Sequence, residues 1–416
     1  MLRSYKYRIY PDDGQKVLLS KHFGHCRWIY NWGLELKQRS YKETGKSPSK
    51  FDLSNMLPTM KRTKETEWLK EVGSQSLQAT LEHLDNAFNA FFNKRNKYPA
   101  FKSKHSSKQS FTIPSGIELD FDRGRIWLPK FKEPINIKLS RKIEGTIRKS
   151  VVSKNSSGEY YISIVVEDGK EIPEKVKIDK REDILGIDVG IKDFCVTSEG
   201  EIIENQKFLR SKQKRLKLLQ RKLSHKQKGS NNRNKAKLKV ARLHQKVVNQ
   251  RKDFLHKLSF RLVSENKAIA REDLNVKGML KNHCLANAIS DVAWSQFDSF
   301  LKYKAEWQGK HFLEIGRFDA SSKICNKCGH YHGSLVLSDG ILICEKCGSI
   351  IDRDFNASLN IRDFAFISFI KGTQGHGKVK SVKLKSDKKP KSKDEVASGQ
   401  KEEPAMASIQ IKHCLV

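Results

Sequence analysis

The chain has 416 residues, of which 81 are Lys or Arg and 47 are Asp or Glu, giving a formal net charge of +34 at pH 7. No apolar run approaches the roughly 18 residues that span a bilayer, so we expect a soluble protein of several domains and no membrane partner. So large an excess of cations favours a polyanion as partner. Nucleic acid fits better than a membrane surface, because no basic amphipathic helix with a Trp/Phe/Leu face stands out.

The N-terminal part contains three patterns. Residues 1–10 alternate apolar and polar side chains and predict a strand, whereas 11–104 carry apolar residues at helical spacing and predict helices. From about 105 to 170, short apolar runs separated by Gly-containing turns predict a small β-domain. The first strand can join this domain, with the helices inserted between. A polar linker, 168–183, follows.

The most biased segment is 210–252, which holds 17 Lys or Arg and no acid. It follows 184–205, whose apolar runs and tight turns predict three strands. Apolar positions persist at helical spacing on both sides of GSNN (229–232). We predict an antiparallel helical hairpin with one apolar seam and a basic exterior, where bound phosphates relieve the like-charge repulsion.

The C-terminal part begins with 265–276, which predict a strand ending in acids. A helix is predicted at roughly 287–307, a short strand at 311–316 and a last helix in DFNASLNIRDFAFISFI. From residue 371 the chain is rich in Lys, Ser and Gly, which predicts a disordered basic tail. The N-terminus lacks the apolar segment of a signal peptide, so we expect a cytoplasmic protein.

Four of the eight cysteines follow the spacing of a zinc site: Cys325, Cys328, Cys344 and Cys347. Each Cys-x-x-Cys turn presents two thiolates to one ion, and four thiolates complete a closed tetrahedral shell, so the predicted Zn²⁺ is structural. His330 and His332 are possible competing ligands. With four thiolates available, we expect both histidines to be surface residues.

Three acids lie where strands end or a helix begins. Asp188 ends an apolar strand in GIDVGIKDF, Glu272 ends another in AIAREDLNV, and Asp354 lies in DRDFNA. Taken singly, each is more often a cap or a surface charge. If they converge, they repel one another unless divalent cations neutralise them. Two hard cations about 4 Å apart are the usual means of activating water and stabilising a leaving 3′ oxygen in phosphodiester cleavage.

The order of these motifs resembles the TnpB family. GIDVGIKDF, a basic helical hairpin, EDLNVKGM, SSKICNKCG with CEKCG, and DRDFNASLNI follow one another. TnpB proteins are RNA-guided nucleases of insertion sequences, long described as OrfB transposases and related to type V CRISPR effectors. YKYRIYP and FGHCRWIYN are similar to the family's start, and the resemblance covers roughly residues 1–370.

The resemblance implies a multidomain α/β fold in which a zinc ribbon is inserted into an RNase H-like (RuvC) nuclease domain. An N-terminal β-barrel-like domain would be interrupted by a helical domain. The expected domains are a β-rich wedge-like domain (1–10 and 105–170), a helical recognition domain (11–104), the nuclease domain (184–319 and 352–370), the zinc ribbon (320–351) and the tail (371–416).

The family's three catalytic acids match Asp188, Glu272 and Asp354, which would bind Mg²⁺. Asp352 and Asp273 are tempting neighbours, but Asp354 has the D-x-N-A setting of the family's last motif. Asp273 points away from Glu272 if the strand continues. Arg271 departs from the apolar residue expected before the catalytic Glu; this removes no carboxylate.

The implied function is an RNA-guided DNA endonuclease of a transposable element with a single Mg²⁺-dependent site. Its partners would be a guide RNA from the element's end and a double-stranded DNA target, with specificity supplied by base pairing. Lys and Arg of 210–252 would line the channel. We expect a monomer rather than a dimer.

Three alternatives remain. A nuclease-inactive RNA-guided repressor is disfavoured because all three acids are present. A strand-transfer or accessory transposition protein lacks the expected catalytic Tyr with a paired His motif. A zinc-ribbon transcription factor would give Asp188 and Glu272 no role in its activity.

Overall fold

The structure is a computed structural model that describes residues 1–317, 319–336 and 339–372. The predicted tail, 371–416, lies outside the described residues apart from Lys371 and Gly372, which end the last helix. Among the helices of the described ranges, none is both long and apolar enough to cross a membrane.

The first strand pairs with strands that follow it by more than a hundred residues. The elements of this part are β1 (Leu2–Tyr10), α1 (Asp13–Thr44), α2 (Lys50–Arg62), α3 (Ser74–Phe92), β2 (Lys108–Ile113), β3 (Glu118–Asp120), β4 (Arg125–Trp127), β5 (Ile135–Lys138), β6 (Thr146–Asn155) and β7 (Tyr160–Glu167). They form an antiparallel sheet of order β2-β6-β7-β1-β5-β4-β3. The strand predicted at 1–10 therefore joins the later β-region, with α1–α3 inserted between. In the described residues the sheet has two edge strands, β2 and β3, which are not hydrogen-bonded to each other. The barrel that the resemblance implies is therefore not closed by strand pairing.

One apolar core joins α1–α3 to this sheet. Leu77, Leu81 and Leu84 of α3 share one helix face and are fully buried. The helices pack on the sheet through β2. Because α1–α3 pack on the sheet, they can lie between β1 and β2 in the chain while both strands belong to the same sheet.

A second sheet, of five strands, carries the predicted acids. Its part of the chain contains β8 (Ile184–Val189), β9 (Asp193–Thr197), β10 (Ile202–Glu204), α4 (Phe208–Ser224), α5 (Asn231–Glu265), β11 (Ala268–Glu272), α6 (Val276–Met279), α7 (His283–Val292), α8 (Trp294–Trp307) and β12 (His311–Ile315). The order is β10-β9-β8-β11-β12, and β8, β11 and β12 are parallel. The last registered pair of β8 and β11 joins Ile187 to Arg271. The next residue of each strand, Asp188 and Glu272, therefore lies at the same edge of the sheet.

The basic segment forms the predicted hairpin, because α4 and α5 pack on each other. Leu216 of α4 and Leu243 and Val247 of α5 are buried in the seam. Arg233 closes the turn by donating from Nη1 to the Leu223 carbonyl oxygen, 3.0 Å away.

The single helix predicted at roughly 287–307 is wrong, since the structure has two helices there. Ala293 adopts φ 58°, in the left-handed region, and its N–H bonds to the Ile289 carbonyl oxygen. This bond ends α7 with a left-handed cap, and α8 begins at the next residue.

The last helix lies across the parallel strands. After β13 (Ile341–Ile343) and β14 (Ile350–Asp352), which pair with each other, α9 (Arg353–Gly372) packs on β8 and β11. Ile361 and Ala365 of α9 share a small core with Ile184 and Ala270. The other face of the same strands packs in a larger core with α5 and α8.

Gly186 permits this close packing. A Cβ atom at residue 186 would lie 2.1 Å from the Ser358 carbonyl oxygen and 2.8 Å from the Arg362 nitrogen, both in the α9 backbone. Contacts this short require the backbone of helix or strand to move, so a side chain is excluded where α9 crosses β8.

We expect Gly186→Ala to lower the free energy of unfolding by about 3 kcal/mol, the upper end of the usual cost of overpacking. Thermal or denaturant unfolding of the purified protein measures the change. The matched control is Gly24→Ala within α1, where the new Cβ would have nothing nearer than 3.9 Å. That control should be neutral or stabilise the helix by about 0.5–1 kcal/mol. Equal stability of the two variants would contradict the packing argument.

Candidate active site and metal centre

Alternation along two parallel strands turns two of the predicted acids toward α9. Gly186 lies directly beneath that helix, so Asp188, two residues further along β8, faces the same side. Ala270 of β11 packs in the core beneath α9, which gives Glu272 the same orientation. Asp354 lies in the first turn of α9. Three separate elements thus place their carboxylates on one face of the sheet.

The pKa of Asp188 is raised well above its ordinary value. Burial of the carboxyl group is the largest cause, followed by repulsion from Glu272 and then from Asp354. Arg353 and the backbone N–H of Val189 oppose the shift. The three carboxylates are therefore close enough to disfavour ionisation of Asp188, and a bound divalent cation would reverse that effect.

Burial also raises the pKa of Glu272. The hydroxyl group of Ser321 donates a hydrogen bond to Oε1 of Glu272 and opposes the shift, as does the charge of Arg271. Asp319 adds a smaller repulsion. The glutamate is thus held by a neutral donor from the segment that precedes the first zinc cysteine.

The two neighbouring acids have other partners. Oδ1 of Asp352 accepts hydrogen bonds from the backbone nitrogens of Asp354 (3.0 Å) and Phe355 (2.9 Å), which is the geometry of a helix N-cap. Asp273 is exposed and pairs with Arg317 at 2.8 Å. Capping and a surface ion pair account for these two acids without a role in metal binding.

Arg271 lies at a position where the family resemblance leads us to expect an apolar residue. Its side chain is 1% exposed and forms an ion pair with Asp298 of α8, on the face of β11 opposite α9. Its Nε donates to the Glu272 carbonyl oxygen at 3.1 Å. Burial lowers the pKa of Arg271 to about 10, so the guanidinium stays charged at neutral pH. Sequence reasoning missed this pair, because the two residues meet only in the folded chain.

The donor chemistry of the three acids fits Mg²⁺. Carboxylate oxygens are the ligands that this hard cation prefers, and Mg²⁺ is usually bound through one or two carboxylates together with water and phosphate. Within the described ranges, the four cysteines are the one group of three or more His, Cys, Asp or Glu side chains gathered closely enough to hold one ion. Glu272 and Asp354 are close enough to raise the pKa of Asp188, but the three acids do not form such a group.

The four cysteine sulfurs that the sequence assigns to zinc lie together in the structure. All four Sγ atoms lie within 4.8 Å of one another. Cys325 and Cys347 are 3.8 Å apart and Cys328 and Cys344 are 3.4 Å apart. Four thiolates about 2.3 Å from a zinc ion would have separations of this size.

Two matching turns bring the sulfurs together. The N–H of Gly329 bonds to the Cys325 carbonyl oxygen, and that of Gly348 bonds to the Cys344 carbonyl oxygen, both at 2.8 Å. The glycines have φ 73° and 67°, in the left-handed region that favours glycine. These observations support a closed, structural Zn²⁺ site.

His332 is not the surface residue that the sequence predicts. Its side chain is 5% exposed and lies against the ring of His330, with 4.8 Å between ring centroids. Its backbone N–H bonds to the Lys323 carbonyl oxygen at 2.8 Å, which ties this turn to the segment before Cys325. His330 is only partly buried.

Two buried asparagines of α9 bind the start of the ribbon. Asn360 Nδ2 donates to the carbonyl oxygens of Ser321 and Ile324, both at 2.6 Å. Asn356 Nδ2 donates to Ile324 at 2.7 Å, and its Oδ1 accepts from the Asn326 backbone nitrogen at 2.9 Å. Sequence reasoning missed these contacts. The signal was present as two amides four residues apart in a largely apolar helix.

Two further surfaces are rich in cations. A groove of about 610 Å³ is lined by Arg27, Lys104 and Lys154, and none of its lining residues is acidic. Beyond the end of α3, residues 93–117 contain six Lys or Arg and no Asp or Glu. The rings of Phe88, Phe91 and Phe92 at the end of α3 cluster with that of Tyr98. Phe92 and Tyr98 are 70% and 46% exposed. Exposed rings among cations are typical of surfaces on which nucleic acid bases stack.

Three family models match the chain. They are "Helix-turn-helix domain" (the OrfB_IS605 type) over residues 1–46, "Probable transposase" (OrfB_IS605) over 163–283, and "Cas12f1-like, TNB domain" over 294–361.

Curated relatives match nearly the whole chain. A Streptomyces pristinaespiralis protein named "Putative RNA-guided DNA endonuclease" is 41% identical over 362 residues, which are 86% of this chain and 88% of that protein. InsQ of Escherichia coli K12, which bears the same description, is 31% identical over 375 residues, covering 86% of this chain and 91% of InsQ.

A solved structure shows the same fold. The Cas12f1 chain in a cryo-EM structure of a Cas12f1–sgRNA–target DNA complex matches with a TM-score of 0.51 and 15% identity. The match covers 87% of this chain and 98% of that one. At this identity the similarity concerns the multidomain α/β fold alone.

We expect Cys344→Ser to abolish zinc binding, because a closed shell needs four strong ligands. Elemental analysis of the purified protein should show zinc falling from one ion per chain to nearly none, and proteolysis should cut the ribbon more readily. Cys284→Ser is the matched control, since Cys284 is exposed and outside the cluster. Full zinc content in the Cys344 variant would refute the four-cysteine site.

Proposed function

The chain belongs to the TnpB family, and we propose that it cuts DNA as an RNA-guided endonuclease of a transposable element, at the site formed by Asp188, Glu272 and Asp354. The observation that carries this proposal is the placement of three carboxylates from β8, β11 and α9 on one face of the sheet, where Glu272 and Asp354 both raise the pKa of Asp188. Repulsion among them would oppose folding unless they served to bind cations.

We assign Mg²⁺ binding to the three acids and Zn²⁺ binding to the four cysteines. Bound Mg²⁺ supplies stabilisation of the negative charge that develops on the phosphate and lowers the cost of deprotonating the attacking water. The chain's own residues hold the acids in place: Ser321 contacts Glu272, and Arg353 contacts Asp354 with 2.9 Å between Nη2 and Oδ1. Hydrolysis joins the water oxygen to phosphorus and releases the 3′ oxygen of the neighbouring nucleotide.

We assign guide RNA and target DNA to the basic surfaces. The α4–α5 hairpin presents its cations to solvent around an apolar seam, and the groove near Arg27 has no acidic lining residue. Each cation that meets a phosphate releases condensed counterions, so a +34 chain gains much of its affinity from the backbone of nucleic acid. Sequence specificity would come from pairing between guide and target.

We propose the domain division that the resemblance implies. The nuclease domain would comprise 184–319 and 352–370, the ribbon 320–351, the β-rich domain 1–10 and 105–170, and the helical domain 11–104. The packing of α9 on β8 and β11, together with its hydrogen bond to the Ser321 carbonyl oxygen in the ribbon, supports the insertion. A monomer is the proposed state, because like charge opposes association of two such chains.

We expect Asp188→Ala to reduce DNA cutting by at least about a hundredfold while leaving guided binding intact, because it removes charge from the metal site and not from the basic surfaces. The protein would be co-expressed with flanking element DNA, and the RNA that copurifies would be sequenced. Cutting and binding of matching DNA would then be measured with Mg²⁺.

The control is Asp273→Ala, which removes an exposed acid one residue from Glu272 and should cut normally. Retained cutting by the Asp188 variant would sink the assignment of the site. Binding of matching DNA without cutting by the unaltered protein would favour the RNA-guided repressor. Absence of any enriched RNA would contradict the guided mechanism.

A further inference from the structure

A buried side chain of the zinc ribbon hydrogen-bonds to an acid of the candidate active site. Ser321 is four residues before the first zinc cysteine, and its hydroxyl group donates to Oε1 of Glu272, 49 residues away in sequence. The residue is 3% exposed, so water does not compete freely for this bond.

The position of that hydroxyl group is fixed from two sides. Asn360 of α9 binds the carbonyl oxygen of Ser321 itself, and the side chain of Asn360 is 2% exposed. Asn326, next to Cys325, is bonded in turn to Asn356 and Asn360. A continuous set of hydrogen bonds therefore connects the first zinc turn, α9, Ser321 and Glu272.

The donor is also suited to a metal ligand. A hydroxyl group fixes the carboxylate without cancelling its charge, whereas a cationic donor would reduce its attraction for a cation. The fully buried cation beside it, Arg271, lies on the opposite face of β11 and pairs with Asp298. Alternation along the strand keeps the guanidinium off the Glu272 carboxylate, and the charge of Arg271 acts on it only from a distance.

We propose that Ser321 is a positioning residue, which holds one oxygen of Glu272 so that the carboxylate faces Asp188 and the divalent cation. This inference rests on the proposed function. Residues that orient metal ligands typically change metal affinity by about 10–100-fold when they are replaced. The ribbon is accordingly a support for the catalytic metal site, and its zinc stabilises that site indirectly.

The test uses Fe²⁺ as a probe in the place of Mg²⁺. In the RNA-bound protein, Fe²⁺ with ascorbate and peroxide cuts the polypeptide next to the bound ion, which reports occupancy without DNA cleavage. We expect Ser321→Ala to raise the Fe²⁺ concentration for half-maximal cutting near residues 188, 272 and 354 by about tenfold, with zinc content unchanged. Ser321→Thr, which keeps a hydroxyl group, should restore the affinity.

Ser322→Ala is the matched control, because it removes the adjacent hydroxyl group and should behave as the unaltered protein. DNA cutting should show the same pattern: Ser321→Ala needs more Mg²⁺ but reaches a similar maximal rate. An unchanged Fe²⁺ affinity in Ser321→Ala would overturn the inference, as would equal weakening by Ser322→Ala or loss of zinc from the Ser321 variant.

Different results would reject the role of Ser321 and the proposed metal site. Asp188→Ala should abolish polypeptide cutting at these three positions. If it does not, the metal site itself is wrong. If Asp188→Ala abolishes the cutting and Ser321→Ala leaves it unchanged, the site stands and the positioning role is rejected.

Discussion

The contact between α9 and β8 at Gly186 is the constraint on which the site depends. A helix backbone this close to a strand leaves no room for a Cβ atom. This packing brings the first turn of α9 to the edge where β8 and β11 end, and Asp354 comes near enough to Asp188 to raise its pKa. The edge at the carboxyl ends of parallel strands is a common place for binding sites in α/β sheets. Here a helix that crosses the strands supplies the third acid.

Electrostatics explains why this arrangement is compatible with so basic a chain. The three candidate catalytic acids lie on the α9 face of the central strands, while the cations of α4 and α5 face solvent. Burial raises the pKa of Asp188 and of Glu272, so metal binding and protonation compete for the same carboxylates. The ribbon is joined to this face by buried amides and by Ser321. The proposed zinc site and the proposed catalytic metal site are thus parts of one structural unit.

Local patterns were sufficient for some features and not for others. The cysteine spacing predicted that the four sulfurs would lie together, because each Cys-x-x-Cys pair lies within one turn. Alternating residues predicted β1, and an apolar run predicted β8. The roles expected for Asp188, Glu272 and Asp354 came from the resemblance to a family, since no local pattern shows that three distant acids lie on one face of the sheet. Ser321–Glu272 and Arg271–Asp298 depend on contacts made only in the folded chain. The break at Ala293 was missed because alanine favours helix and gives no sign of a left-handed conformation.

Anomalous X-ray scattering from crystals of the RNA-bound protein soaked in Mn²⁺ is the most direct test of the central claim. The change in anomalous signal between data collected just above and just below the zinc edge should give one peak among the sulfurs of Cys325, Cys328, Cys344 and Cys347. Data at the manganese edge should give peaks bounded by the carboxylates of Asp188, Glu272 and Asp354. Manganese bound elsewhere, with these three carboxylates bare, would contradict the account.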